Sequence, residues 1–457
     1  MRPYIRIGRG ARKRSTHDLP LLCTSPRGPC ISNLTTLREA IVDRPELLRV
    51  LFITDTSRNG GPGRTILDIM KFLDPARVHR TVLVPREDIV SRRLVDARAA
   101  ESLFFEPDLI ENIYEPFSRA IERKDFDAPL ALKMLRAAGN VLRGTAGFFR
   151  LLRRVLKERF DLVFCNGTSA NFVGGAIATF TGVPVIWHVL YSSVSPVVRP
   201  LHRRLAASKN VRSIICVSRP TSGQFAHCFE KVRAIHDALD IDEFDARAAE
   251  PALRGELGLE DRTVIFGSHG RILPRKGFIE LIRAARIVVD RLSPEDRARC
   301  RFIVLGDTPQ DMRPDHLEEC RCLVRELSLT DQVQFIGFRP DVRPYVTDFD
   351  VSVVPSIYED PLPRAVMESM AMSKPVVAFA MGGIGEMIED GVEGRLACGR
   401  PPDIEALAEA CLSYFFDPEI RLCHGAAARK RIERDFDARK HARALQDEMF
   451  RVVGAAP

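Results

Sequence analysis

Residues 350–371 read DVSVVPSIYEDPLPRAVMESMA, and this stretch decides the fold. Asp350–Val354 is rich in valine, which is typical of a strand buried on both faces of a sheet. A loop with prolines and two acidic residues follows, and after Pro363 the apolar residues recur at helical spacing. The stretch therefore predicts a strand, a loop and a helix, the repeating unit of a parallel α/β sheet.

The same unit recurs on both sides of this stretch. Apolar runs bounded by turns predict strands at 47–54, 80–85, 161–165, 184–189, 213–217, 232–235, 263–268, 301–305, 332–336 and 375–379. Residues 240–261 are polar and have no strand pattern, so they separate two series. We expect an α/β protein with two doubly wound, Rossmann-like domains.

This division gives the domain boundaries. We expect a basic, disordered tail over 1–46, an N-terminal domain over 47–245 and a C-terminal domain over 255–425. The helical, charged residues 426–457 are expected to pack back on the N-terminal domain.

Composition excludes several protein classes. The 457 residues are 45% hydrophobic and 28% charged, which is ordinary for a globular protein and excludes a disordered, collagenous or polytopic membrane chain. The net charge is +7, but residues 1–18 hold six basic residues and one acid, so the rest is nearly neutral. A nucleic-acid partner is therefore not expected.

Localisation follows from weaker signals. No charged residue lies between Asp161 and Arg199, but glycines, asparagines and Pro184 interrupt this stretch and favour strand, helix and strand over a membrane span. The eleven cysteines have no metal-site or redox spacing, which favours reduced thiols and the cytoplasm. No apolar stretch typical of a secretory signal follows the basic N-terminus.

Charged residues follow two of the strands. Ligands of open parallel sheets bind at the carboxyl ends of strands. Arg271 and Lys276, five residues apart in a loop bounded by glycine and proline, can converge on one diphosphate, although a solvated turn is the alternative. Asp360 and Glu368 can accept hydrogen bonds from vicinal hydroxyls, although helix-capping or surface acids are the alternative.

Backbone groups can also bind phosphate. The helix that begins near Arg364 and Ala365 offers free N–H groups, and the turn at Gly60 and Gly61 permits a close approach of the backbone. The glycine runs match neither a dinucleotide-binding fingerprint nor a P-loop. No Asp-x-Asp element directly follows the carboxyl end of a strand, so no metal site is expected.

The order of these motifs resembles that of the retaining glycosyltransferases of family 4, or group 1. That family has the GT-B fold, in which two Rossmann-like domains face each other across a cleft. The resemblance covers about 48–425 and is denser in the second half. The matching pieces are the Gly-Gly turn at 60–61, His188 after an apolar strand, CVS at 216–218, GRILPRKG at 270–277, VLGD at 304–307, VQFIGF at 333–338, VVPSIYEDPLPRAVMESMA at 353–371 and KPVVAFAMGGIGEMIEDGVEGRL at 374–396.

The resemblance implies roles for the charged residues of the C-terminal, donor-binding domain. Arg271 and Lys276 would hold the donor diphosphate and neutralise the leaving group. Glu368 would bind the ribose hydroxyls. Asp360 would face the donor sugar, with the neighbouring Glu359 as the alternative.

The resemblance also implies contacts with both substrates at other positions. Gly60 and Gly61 of the N-terminal, acceptor-binding domain would lie against the diphosphate, and Arg364 and Ala365 would help to bind the donor. His188 would line the acceptor side and position the sugar.

The sequence departs from the family pattern in three places. The first acid is Asp360, where glutamate is usual, and Leu362-Pro363 replaces a usual Phe-Gly, which removes one backbone donor. Asp237-Ala238 replaces an Asn-Gly pair. These changes bear on the identity of the donor sugar more than on diphosphate binding.

The implied function is glycosyl transfer from a UDP or GDP sugar to a glycan or lipid-linked acceptor with retention of configuration, in cell-envelope or exopolysaccharide synthesis. The nucleotide sugar is a substrate, so no cofactor or metal requirement is expected. Two alternatives stay open: a nucleotide-sugar epimerase with the same fold, and a non-catalytic nucleotide-sugar-binding protein.

Residues 148–160, FFRLLRRVLKERF, form a basic amphipathic pattern. It predicts either a surface helix packed on the sheet or a helix that binds an anionic membrane surface. The second alternative would make the protein peripheral on the inner face of the cell membrane.

Overall fold

Two parallel sheets form the centre of this computed structural model, which describes residues 4–6, 47–55, 60–106, 109, 129–308, 315–398 and 402–455. The first sheet has the strand order β1-β4-β3-β2-β5-β6-β7-β8, and all its neighbours are parallel except β1, which is antiparallel to β4. Its strands are β1 Tyr4–Arg6, β2 Leu48–Thr54, β3 Val78–Val84, β4 Ser102–Phe105, β5 Leu162–Asn166, β6 Val185–Val189, β7 Val211–Cys216 and β8 Val232–Ala234.

Helices connect these strands and cover both faces of the sheet. Their bounds are α1 Gly61–Phe72, α2 Ile89–Asp96, α3 Leu130–Glu158, α4 Thr168–Thr181, α5 Arg199–Ala206 and α6 Arg219–Ser222, followed by a 3₁₀ segment, Gly223–Lys231.

The second sheet is parallel throughout, in the order β11-β10-β9-β12-β13-β14. Its strands are β9 Val264–His269, β10 Cys300–Leu305, β11 Val333–Phe335, β12 Val351–Val354, β13 Val376–Phe379 and β14 Gly394–Ala397. The helices of this half are α7 Leu253–Leu257, α8 Phe278–Arg291, α9 Pro294–Ala298, α10 Asp315–Glu326, α11 Arg343–Val346, α12 Arg364–Ala371, α13 Ile384–Met387, α14 Ile404–Phe416, α15 Pro418–Asp435 and α16 Ala438–Val453.

The expectation of two doubly wound α/β domains is confirmed. Each strand predicted in residues 47–379 is present with ends shifted by a few residues, because apolar runs identify parallel strands well. Strands β4 and β14 were not predicted, because each is only four residues long and β14, with the sequence GRLA, has little apolar pattern.

Part of the expected tail falls within the first sheet. Tyr4–Arg6 pairs with β4, whereas residues 7–46 lie outside the described residues. Residues 110–128, which precede α3, lie outside them as well. Among the residues that are described, no helix combines the length and the apolar character needed to cross a bilayer.

The C-terminal helix α16 returns to the first sheet. Leu445, Met449 and Phe450 are buried in the same hydrophobic cluster as β2 and α1. At the start of α16, Ala438 N–H donates to the Leu239 carbonyl oxygen at 3.0 Å. The last helix therefore contributes to the core of the N-terminal domain.

The strand order determines where ligand-binding loops lie. In each sheet the chain reverses its winding direction once, between β2 and β5 in the first sheet and between β9 and β12 in the second. Crevices form at such switch points, outside the carboxyl ends of the strands. The loops after β2, β9 and β12 carry the glycine turn, the basic pair and the acidic loop.

Candidate active site

A cavity of about 560 Å³ lies between the two domains and is lined by loops of both. The first domain contributes Gly60, Gly61 and Arg64, and the second contributes the loops after β9 and β12. Eight of the ten predicted site residues line it: Gly60, Gly61, Arg271, Lys276, Asp360, Arg364, Ala365 and Glu368.

The glycine turn brings the first domain against the second. Helix α1 begins at Gly61, and Pro62, its second residue, has a fixed φ that suits the first turn of a helix. A Cβ atom on Gly61 would lie 3.6 Å from Cδ of Arg364. The absence of side chains at positions 60 and 61 leaves backbone exposed to the cavity beside α12.

The basic loop after β9 packs tightly against the acidic loop after β12. Gly277 has a φ of +76°, and a Cβ atom there would lie 1.8 Å from the carbonyl oxygen of Pro355. The Ile357 N–H donates to the Arg275 carbonyl oxygen at 3.0 Å. This glycine therefore allows the two loops to meet and fixes the position of Lys276.

Lys276 forms an ion pair with the first acid of the predicted acidic pair. Its Nζ donates to Oδ2 of Asp360 at 2.5 Å, and Asp360 is buried. Burial disfavours the charged amine, but the carboxylate of Asp360 outweighs this effect and raises the pKa of Lys276. The lysine is therefore a cation on the cavity wall, next to the exposed Arg271.

Glu368, the second acid, lies on α12 and accepts hydrogen bonds from both domains. His269 Nε2 donates to Oε2 at 3.0 Å, and Arg64 donates to Oε1 at 3.1 Å. Burial alone would raise the pKa of Glu368, but the His269 hydrogen bond and the charges of Arg64 and Arg364 lower it to about 2. The carboxylate is therefore ionised across the physiological pH range.

Arg364, one turn before Glu368 on the same side of α12, also connects the domains. Its guanidinium donates to Oδ2 of Asp68 at 3.0 Å and to the Ala238 carbonyl oxygen at 3.1 Å. Burial would lower the pKa of Arg364, but Asp68, Asp237 and Glu368 together raise it. Its side chain is thus committed to the domain interface.

No group of three or more histidine, cysteine, aspartate or glutamate side chains suited to a metal ion occurs within the described ranges. In the cavity wall, Lys276 is paired with Asp360 across two loops, and Glu368 is paired with Arg64 across the two domains.

Two family models match the chain. The model of glycosyltransferase family 4 matches residues 59–243, and the model of glycosyl transferases group 1 matches residues 263–417. Between them they cover most of the chain. The chain belongs to the group 1, family 4 glycosyltransferases.

Three further similarities agree with this family. The D-inositol 3-phosphate glycosyltransferase of Kribbella flavida is 32% identical over 202 residues, which cover 43% of this chain and 46% of that protein. The UDP-Gal:alpha-D-GlcNAc-diphosphoundecaprenol alpha-1,3-galactosyltransferase of Escherichia coli is 20% identical, over 56% of this chain and 67% of that protein. The crystal structure of Anabaena Alr3699/HepE in complex with UDP and glucose has a TM-score of 0.69 at 21% identity, over 88% of this chain and 99% of that chain.

These similarities differ in how much of each protein they cover and in what they establish. The chain spans about half the length of the Kribbella protein that it matches. The similarity to the Anabaena structure establishes that this family member has the GT-B fold.

Two predicted site residues of this glycosyltransferase family member do not reach the cavity. His188 is fully buried at the end of β6, where Nδ1 lies 2.9 Å from Oδ1 of Asn166 and the ring packs against Phe164 and His441. Burial lowers the pKa of His188 to about 3, so the ring is neutral. Glu359 is exposed and does not line the cavity, which makes Asp360 the acid of this loop that does.

Several side chains of the cavity wall were not predicted from the sequence, among them Arg64, His269, Phe338 and Tyr358. Their positions in the sequence are the signal that could have indicated them. Arg64 follows the glycine turn, and His269 directly precedes the basic loop. Phe338 is 57% exposed although it is aromatic, and the charges of Lys276 and Arg275 lie 5.2 Å from the ring centroid of Tyr358.

Proposed function

We propose that this protein transfers a glycosyl group from a UDP or GDP sugar to a glycan or lipid-linked acceptor. The observation that supports this most directly is that Arg271, Lys276 and Glu368 line the same cavity as Gly60 and Gly61. Two cations and an ionised carboxylate match the diphosphate and the ribose of such a donor.

The proposed reaction requires stabilisation of the negative charge on the departing diphosphate. Arg271 and Lys276 supply two positive charges on the wall, and backbone N–H groups of the first turn of α12, near Arg364 and Ala365, add donors that favour an anion. We propose that these groups act without a metal ion or cofactor. Asp360 is placed to orient Lys276 and to face the donor sugar.

Retention of configuration is the stereochemical outcome that we propose, as in the family that the motifs resemble. The cavity lies between two domains, so closure over the donor would exclude water and limit hydrolysis. Exposed Phe338 offers a surface on which the nucleotide base can stack.

The acceptor and the cellular setting form a finer part of the proposal. The Escherichia coli relative is named for a lipid-linked acceptor and the Anabaena structure for a complex with UDP and glucose. We propose a cytoplasmic enzyme of cell-envelope or exopolysaccharide synthesis that binds the inner face of the cell membrane through residues 148–160.

The exposed face of α3 supports the proposed binding to the membrane surface. Phe149, Arg153 and Leu156 recur at spacings of four and three residues on one exposed face, and Lys157 extends it. Alternating basic and large apolar side chains of this kind suit an anionic bilayer surface. Leu151 and Val155 are buried on the opposite face, so the helix also packs on the domain.

Calorimetric titration with UDP and GDP, with and without magnesium, tests the donor site. We expect metal-independent binding of one nucleotide, weakened by roughly 1.5–3 kcal/mol in Arg271→Ala, because a charge-assisted hydrogen bond is lost. Arg291→Ala, on the exposed surface of α8, is the control. Binding of neither nucleotide would contradict the proposal.

A transfer assay then separates the enzyme classes. Incubation with UDP-sugars and an acceptor mixture should give glycosylated product, and the anomeric configuration can be read by NMR. Interconversion of the donor sugar without an acceptor would instead indicate an epimerase. Nucleotide binding without turnover under any condition would indicate a binding protein.

A further inference from the structure

A second cavity, of about 290 Å³, lies in the N-terminal domain beside the donor cleft. Ser193, in the segment after β6, lines both cavities. The other walls come from α5 and from the 3₁₀ segment Gly223–Lys231. The second cavity is therefore adjacent to the place where an acceptor must meet the donor sugar.

The wall of this cavity is positively charged. Arg199 and Arg203 are one turn apart on α5 and both line the cavity, whereas none of its lining residues is an aspartate or glutamate. Both arginines are exposed, and within the described parts of the chain neither guanidinium forms an ion pair. By contrast, Arg64, Arg339 and Arg364 of the donor cleft form ion pairs. The charges of Arg199 and Arg203 are therefore available to a ligand.

Neutral polar groups complete the wall. The side-chain amide of Gln224 donates to the carbonyl oxygens of Tyr191 at 3.0 Å and Thr221 at 3.1 Å, and its buried Oε1 has no partner within the described residues. An unpartnered buried acceptor is costly, because it has lost its hydrogen bonds to water.

His202 links the two cavities. Its Nε2 lies 2.8 Å from the hydroxyl of Tyr191, which lines the donor cleft. Burial lowers the pKa of His202 to about 4, so its ring is a neutral hydrogen-bonding group. The positive charge of the cavity therefore comes from Arg199 and Arg203.

We propose that this second cavity binds a phosphate group carried by the acceptor, with Arg199 and Arg203 as its ligands. Planar guanidinium groups match the geometry of phosphate oxygens. This inference rests on the proposed transferase function and adds the chemical class of its acceptor.

The phosphate has two sources, a soluble phosphorylated sugar or a lipid-linked one. Val197 is 87% exposed and Leu201 is 53% exposed, and both flank Arg199 on the segment that forms the rim. Because the phosphate chemistry is the same in both sources, a transfer assay with both kinds of acceptor is needed to distinguish them.

Calorimetry with methyl phosphate tests the site directly. The protein is saturated with UDP, so that the donor site is occupied, and is compared with the variant Arg199→Ala/Arg203→Ala. We expect the double variant to bind methyl phosphate at least about tenfold more weakly, because two charge-assisted contacts are lost. Arg204→Ala, which removes an exposed arginine of α5 outside the cavity, should bind within about twofold of the wild type.

Equal binding of methyl phosphate by the wild type and the double variant would overturn the site, as would no binding by the wild type. The result is independent of the proposed function. If UDP does not bind, the same titration is made without nucleotide in a Lys276→Ala background, which removes a cation of the donor cleft. Phosphate binding that still depends on Arg199 and Arg203 would then support the cavity while the donor proposal fails.

Transfer assays identify the source of the phosphate. A soluble glycoside, its phosphate monoester and a polyprenyl-diphosphate-linked sugar are offered as acceptors to the wild type and the double variant. A preference for either phosphate-bearing acceptor that the double variant loses supports the proposal and names the source. The same rates for phosphorylated and unphosphorylated acceptors in both proteins would overturn it.

Discussion

Arg64 of the N-terminal domain donates a hydrogen bond of 3.1 Å across the cleft to Oε1 of Glu368, while His269 holds the other carboxylate oxygen at 3.0 Å. Arg64 and Glu368 are 304 positions apart in the chain. The carboxylate that we assign to the donor ribose is therefore already bound to the opposite domain. A ribose must share this carboxylate with Arg64 or displace it, so donor binding and domain closure are coupled at this residue.

Arg64→Ala should loosen domain closure in the nucleotide-free protein. The variant removes a largely buried, charge-assisted hydrogen bond worth about 1.5–3 kcal/mol. Without nucleotide, we expect small-angle X-ray scattering to give a larger radius of gyration for the variant than for the wild type. With UDP bound, the difference between the two proteins should be smaller. Arg92→Ala, an exposed residue of α2, is the control. Identical scattering curves for Arg64→Ala and the wild type would exclude this coupling.

Lys276 and Asp360 should have unequal effects on nucleotide binding. Lys276→Ala removes a diphosphate cation and leaves the Asp360 carboxylate buried without its partner, so UDP binding should weaken by roughly 1.5–3 kcal/mol. Asp360→Asn keeps the cation and should change UDP affinity by less than about 1 kcal/mol while transfer activity falls. Calorimetry and a transfer assay measure the two effects.

A double variant, Lys276→Ala/Asp360→Asn, provides the matched control. It should bind UDP better than Lys276→Ala, because no uncompensated carboxylate is left in the cleft. If Asp360→Asn alone weakens UDP as strongly as Lys276→Ala does, the aspartate binds the nucleotide or holds the loop, and its assignment to the sugar is wrong.

Glu368→Ala should discriminate between ribose and diphosphate. We expect weaker binding of UDP and nearly unchanged binding of pyrophosphate, since only UDP carries vicinal ribose hydroxyls. Glu368→Gln keeps the shape and one acceptor oxygen, so its loss should be intermediate. Competition of both ligands against a fluorescent nucleotide measures the ratio, and equal losses of UDP and pyrophosphate would refute a ribose role.

The sequence was informative where function depends on residues close together in one loop. Arg271 and Lys276 both reach the cavity because the loop after β9 carries them, and Gly277 holds that loop against the next one. The spacing in the sequence is then close to the spacing in space. The parallel strands were predictable for a similar reason, since burial on both faces leaves a continuous apolar run.

The sequence was uninformative where tertiary packing decides the outcome. His188 follows an apolar strand, but α16, more than 240 residues later, brings His441 to within 6.0 Å of its ring and helps to close it off. No local pattern contains that contact. The same holds for Arg64 and Glu368, whose bond exists because two separate sheets present their switch points to each other.

Binding to anionic vesicles should depend on the exposed face of α3. Arg153→Gln/Lys157→Gln removes two exposed basic residues, and at about 1 kcal/mol each the affinity should fall by roughly 30-fold. Sedimentation with phosphatidylcholine vesicles that contain phosphatidylglycerol measures this. High salt should have a similar effect, because it screens surface charges.

The exposed pair Lys430→Gln/Arg434→Gln on α15 is the control for net charge and should bind vesicles as the wild type does. Absence of binding by the wild type at low salt would refute the membrane proposal, and α3 would then serve as a surface helix of the domain.

His188 should make the protein less stable in mild acid. Its folded pKa is lowered to about 3 by burial, whereas an unfolded histidine titrates near 6.5. Between these values the unfolded chain binds a proton that the native state does not, so the free energy of unfolding falls as the pH falls from about 6.5. The contribution of one such group is up to about 1.4 kcal/mol per pH unit, and His202, whose pKa is lowered to about 4, acts in the same direction.

His188→Gln removes the titrating group, so its unfolding free energy, measured by urea denaturation at several pH values, should decline less steeply below pH 6.5. Arg204→Ala, which removes no group that titrates in this range, should keep the wild-type slope. The same slope for His188→Gln and the wild type would show that His188 is accessible to protons, as expected for a residue that faces the acceptor rather than the core.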